Sequence, residues 1–171
     1  MDPVMGRLQL AAARYALGTA RSEELCGLAD SILSDGVYSH ALGELDTLAR
    51  PEMSEVGPLF QQALNEFGLS VPSREAAIVT LLRHHVGTIA VGNVLPEEGL
   101  RRVMQEVYFP ANLYQESKEF VGDSHGLQHL IGCFYAYDDL RLETKLSVDA
   151  IKTLDRQVVT LAKEWLAEQG A

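Results

Sequence analysis

The residue types in this chain that can do chemistry concentrate in one stretch, Ser124 to Glu143 (SHGLQHLIGCFYAYDDLRLE). It holds two of the five histidines, three aromatic residues and an acidic pair. His125 and His129 are four residues apart, a spacing that on one helical face can bring two imidazoles onto a metal ion. Asp123, Asp139, Glu143, His40 and His84 are the residues that could complete such a site. The zinc-protease pattern also needs a glutamate directly after the first histidine to act as base, and here that residue is Gly126. The expectation is therefore no metal and no cofactor. The two histidines are read as lying at a helix contact beside Gly132 and Ala136, where small residues permit close approach. A His125/His129 metal site is the alternative.

Asp138 and Asp139 form a paired carboxylate. Neighbouring helical positions point roughly 100° apart, so the two cannot act jointly on one bond as an acid/base pair. Asp139 is expected on the exposed side with His125, His129 and Glu143. Asp138 falls among Leu127, Ile131 and Phe134, where a carboxylate must find a partner or bear a large desolvation cost. Arg141 and His85 are its candidate partners, and a buried Asp138–His85 bridge is expected to tie two helices together. Ser124-His125 is an adjacent hydroxyl–imidazole pair, but no nucleophile elbow surrounds it. Cys133 lies inside a helix without basic neighbours, a poor setting for a nucleophile. The glycines are isolated and make no phosphate loop.

Seven of the twelve aromatic residues lie between Tyr108 and Tyr137. A local core that holds down an irregular segment accounts for many of them. The functional reading is a partly exposed patch in which Tyr114 and Tyr135 stand beside Asp123, Asp139 and Glu143. Tyrosine is enriched in protein interfaces, and a carboxylate rim suits a basic partner.

The elements that must position these residues are helices. Apolar residues recur at helical spacing from Met5 to Thr19. They recur again after Ser22, where Leu25, Leu28, Ala29, Ile32 and Leu33 lead up to Gly36. Ser39 opens a third helix, stopped by Pro51. A fourth runs over Met53–Gly68, with Pro58 expected at its first helical position. Ser73–Val91 is apolar on several sides and is expected to be central, with His85 in the middle of its stripe. Pro96-Glu97-Glu98 opens a sixth helix whose apolar face is Leu100, Val103, Met104, Val107 and Tyr108. Phe109-Pro110 breaks the pattern, and an irregular segment follows with a short helix near Glu116–Val121. Ser124–Glu143 is read as one helix capped by Ser124. Ser147 caps a last helix reaching Gln169, with Ile151, Leu154, Val158, Leu161 and Trp165 inward.

No stretch alternates in the manner of a β-strand, and no linker divides the chain. The predicted fold is all-α, one domain over residues 1–171, a bundle of about seven or eight helices.

Composition narrows the function. Of 171 residues, 47% are apolar, enough for a core, and the net charge is −10 from 24 acidic and 14 basic residues. That balance argues against nucleic acid and anionic membrane as partners. Two cysteines without zinc spacing, and no leader or membrane span, predict reduced thiols in a cytoplasmic protein. The chain is thus expected to be a non-enzymatic acidic binding protein, of the inhibitor or immunity type, that neutralises a basic protein partner. The alternative is a metal-dependent helical hydrolase using His125, His129 and nearby carboxylates. A homodimer joined through the last helix is a third reading.

Overall fold

In the computed structural model, residues 3–116, 119, 123–142 and 148–169 are described. Eight α-helices and no strand occur among them. Contacts divide the chain into two compact units, Met1–Thr80 and Leu81–Ala171.

In the first unit, α1 (Pro3–Ala16), α2 (Ser22–Ser34), α3 (His40–Asp46) and α4 (Met53–Glu66) each turn an apolar stripe inward. Leu8, Leu25, Ala29, Ile32, Leu42, Leu45, Phe60 and Leu64 form one buried cluster. Local signals set the ends. The Ser39 hydroxyl accepts from the Leu42 amide at 3.3 Å and caps α3. At the start of α2 the cap is Arg21 rather than Ser22, and the Glu24 carboxylate accepts from the Arg21 amide at 3.1 Å. Gly68 takes φ 69°, which lets the Leu69 amide turn back onto the Leu64 carbonyl at 2.8 Å and close α4.

Pro58 departs from expectation. Instead of opening α4 it lies inside the helix, which starts at Met53. Proline withdraws the amide that the Ser54 carbonyl would otherwise receive. Both residues are exposed, so water can replace that bond.

The division between the units falls within α5 (Arg74–Ala90). The second unit then builds α6 (Pro96–Arg102), α7 (Gln128–Leu142) and α8 (Val148–Glu168). Pro96 is at the first turn of α6, with Glu97 and Glu98 behind it at the positive end of the helix dipole. A glycine is required one turn on. A Cβ on Gly99 would lie 2.2 Å from Cγ1 of Ile89, so α5 and α6 meet there at backbone distance. Beyond Arg102 the helix widens into a π turn, Val103–Tyr108, in which the Phe109 amide donates to the Met104 carbonyl at 3.0 Å. Val103, Met104, Val107 and Tyr108 are buried there. A short 3-10 turn, Leu113–Gln115, follows. The short helix expected near Glu116–Val121 lies largely outside the described residues, as does the Ser147 cap of α8.

α7 packs against α6 and α8. Leu130, Ile131, Cys133 and Tyr137 of α7 and Leu154, Val158, Ala162 and Trp165 of α8 are buried. No described helix is long and apolar enough to cross a membrane.

Candidate functional site

The stretch Ser124–Glu143 is not one helix. The α-helix begins at Gln128, after a separate 3-10 turn over Ser124–Gly126. His125 and Gly126 take φ of 58° and 70°, in the left-handed region that breaks helical periodicity. The turn is pinned from α8, where the Trp165 indole N–H donates to the His125 carbonyl at 2.8 Å. The i, i+4 relation between His125 and His129 therefore does not put both rings on one helical face. His125 keeps its Nδ1 2.8 Å from the Ser124 hydroxyl and lines a shallow pocket with Glu116 and Asp123. His129 is exposed and belongs to the groove between α7 and α8. Among the described residues, no three His, Cys, Asp or Glu side chains come together to hold a metal ion.

The second correction concerns Asp138. His85 is buried, at 5% exposure, but the carboxylate beside it is Glu106, whose Oε2 is 3.4 Å from His85 Nε2. The π turn carries Glu106 to that position. Asp138 has a side chain 55% exposed and lies 3.5 Å from the Arg141 guanidinium. The apolar stripe of α7 leaves the core after Tyr137, so Asp138, Arg141 and Leu142 in the last turn face solvent. A carboxylate there keeps its hydration instead of bearing the several kcal/mol that burial of an ion costs. Arg141 also pairs with Glu97 of α6, and Glu97 takes a second bond from Arg101 at 3.0 Å. A spacing argument along α7 cannot reveal this link, because Glu97 comes from another helix.

The aromatic residues converge on Tyr108. Its ring is buried at 1% exposure, with Phe109 at 5.5 Å and Tyr114 at 6.4 Å between centroids. Burial pushes its phenol ionisation up, and the nearby charges of Tyr135 and Asp123 add to that. Among the described residues its enclosed hydroxyl finds no hydrogen-bond partner. Around this hub, Phe109, Tyr114 and Tyr135 are 46%, 45% and 47% exposed. Asn112, at φ 54°, starts the turn that presents Tyr114, and its Oδ1 accepts from the Tyr114 hydroxyl at 3.1 Å. Asp123 is half-buried, its Oδ2 accepting from the Glu119 amide at 2.7 Å.

Of the residues expected to bind a partner, Tyr114 stands against Tyr108, Tyr135 has its ring 5.4 Å from that of Phe134, and Asp123 lies with Glu116 and His125. Asp139 lies one turn beyond Tyr135 along α7 and lines the groove shared with α8, together with Asp149. Glu143 is outside the described residues. Two further polar contacts are invisible to a reading of single helices. The buried Tyr137 hydroxyl donates to Asp155 Oδ1 of α8 at 2.6 Å. The Arg83 guanidinium donates to the Gln169 carbonyl at 2.5 Å.

The described geometry is thus a group of half-exposed rings, Phe109 and Tyr114 against the buried ring of Tyr108, on the same unit as the half-exposed Tyr135. No family model matches the chain, and neither a curated protein nor a solved structure gives a match.

Proposed function

We propose that this chain is a non-enzymatic binding protein, of the inhibitor or immunity type, that neutralises a basic protein partner in the cytoplasm. The observation that carries the reading is the pair of half-exposed rings, Phe109 and Tyr114, against buried Tyr108, with Tyr135 half-exposed on α7 of the same unit. Flat rings bury large area at low entropy cost, which suits interface anchors. Asp123 and a net charge of −10 favour a cationic partner and speed its approach. Cys26 and Cys133 are both free, in keeping with a reducing compartment.

The test is capture from native cells at low ionic strength, followed by association kinetics with the recovered protein. A basic protein is expected whose association rate falls steeply as salt rises. Tyr135→Ala and Tyr114→Ala should each weaken the complex by about tenfold or more, the range of an interface anchor. Failure to recover any basic protein at low salt would overturn the proposal.

A further inference from the structure

Leu100, Val103, Met104, Val107 and Tyr108 recur at the i, i+3, i+4, i+7, i+8 spacing of an α-helix. That pattern alone would carry α6 onward in α register. The chain widens instead into the π turn Val103–Tyr108, closed by the Phe109 amide on the Met104 carbonyl, five residues back. Such turns are rare, and they are frequent at functional sites.

Local energetics oppose this turn. Phe109 holds a helical backbone, φ −73° and ψ −49°, although Pro110 follows and a proline disfavours that region for its predecessor. The buried Tyr108 hydroxyl adds a desolvation cost, with no hydrogen-bond partner among the described residues. A contact from another element must offset these costs. His85 of α5 supplies one. It is 5% exposed, and its Nε2 lies 3.4 Å from Oε2 of Glu106, inside the turn. Arg102, four residues before Glu106, pairs with Glu98 at 3.1 Å.

The placement of two rings depends on the turn. Tyr108 ends it with a buried ring, and Phe109, the next residue, is 46% exposed. Rewinding the turn to α spacing would rotate the chain beyond it by about 100°. That is enough to take Tyr108 out of the core.

We infer that the His85–Glu106 pair positions the aromatic surface. It holds Val103–Tyr108 in the wide turn, and so keeps Tyr108 inside and Phe109 outside. The inference rests on the binding reading above and names the contact that presents one of its rings. His85 and Glu106 act through the turn and do not themselves meet the partner.

The test uses the full chain, isotope-labelled, and requires no partner. A long-range HNCO experiment reads which carbonyl receives the Phe109 amide. Photo-CIDNP reads which tyrosine rings meet solvent. In the parent, a cross-peak should join Phe109 to Met104, and Tyr114 and Tyr135 should respond while Tyr108 stays dark. His85→Leu removes the ring nitrogens, and Glu106→Ala removes the carboxylate. Each should abolish that cross-peak, bring Tyr108 into the photo-CIDNP spectrum and speed exchange of the Phe109 amide by about tenfold or more. Exchange within α7 should change by less than about twofold. The double variant should be no faster than the faster single one, as for two ends of one contact. His85→Gln sets an amide N–H near the place of Nε2 and should keep the cross-peak. Glu106 is half-buried, so Glu106→Ala decides the matter even where His85→Leu fails to fold.

A Phe109–Met104 cross-peak that persists in Glu106→Ala overturns the inference. So does a loss of protection shared equally by α7, which would make the pair a general stability contact. If Pro110→Ala alone moves the Phe109 amide onto the Gln105 carbonyl, the proline sets the turn and the inference falls. If the turn rewinds in Glu106→Ala and no basic protein is captured from cells, the positioning role stands and the binding reading falls. If a basic protein is captured and the turn persists in Glu106→Ala, the reverse holds.

Discussion

Tyr108 and Tyr137 are both buried tyrosines, and their hydroxyls should behave oppositely on removal. Tyr137 donates to Asp155 at 2.6 Å, so Tyr137→Phe loses a bond to a charged acceptor. A drop of about 1.5–3 kcal/mol is expected, read as a lower denaturant midpoint. The Tyr108 hydroxyl is enclosed and has no partner among the described residues. Tyr108→Phe removes a desolvated polar group, so its stability should be unchanged or higher by up to about 1 kcal/mol. pH separates them further. Burial, then the bond and charge of Asp155, raise the ionisation of Tyr137 well above the ordinary 10.0. The unfolded chain releases that proton near 10 and the folded chain retains it, so this contribution is intact below pH 10 and lost as pH climbs past it. Tyr137→Phe should therefore flatten the alkaline limb of a stability–pH curve. For Asp138, exposed beside Arg141, Asp138→Asn should move stability by no more than about 0.5 kcal/mol. A melting-temperature shift of many degrees would mean that the carboxylate is buried after all.

The close approach of α5 and α6 leaves no room for a methyl group at Gly99, because Ile89 is itself fully buried and cannot swing away. Gly99→Ala should destabilise by about 1–3 kcal/mol through overpacking, despite the better helix propensity of alanine. Chemical denaturation of the two proteins measures it. The link between α8 and the turn before α7 depends on Trp165 in the same way. Trp165→Phe keeps most of the apolar area but frees the His125 carbonyl, at a cost of about 1 kcal/mol from the lost bond. Hydrogen exchange at Gly126 and Leu127 should quicken in that variant before global unfolding does. Each link joins two different elements, and neither follows from a reading of one helix.

For the molecule as a whole, charge and exposed aromatic area set the expected behaviour toward partners. With a net charge of −10, association with a cationic protein should slow by an order of magnitude or more between about 50 and 500 mM salt, since the Debye length shrinks several-fold over that range. Dissociation should depend on the aromatic anchors and respond little to salt. Stopped-flow measurements at several salt concentrations separate the two.

Helix number, helix order and most buried positions were legible in the sequence. Apolar residues at 3.6 spacing, with Gly, Pro and Ser at the ends, report a local energy balance that each segment settles for itself. His85 was legible as a buried residue for the same reason, since it sits in the middle of an apolar stripe. The π turn at Val103–Tyr108, the break at His125–Gly126 and the exposure of Asp138 were not. Each depends on a neighbour from another element: Glu106 against His85, Trp165 on the His125 carbonyl, Glu97 toward Arg141. Periodicity describes one helix at a time and carries no information about which second helix lies across from it. Only packing decided that the two histidines part, that Phe109 and Tyr114 stand against a buried Tyr108, and that Tyr137 reaches Asp155 across α7 and α8.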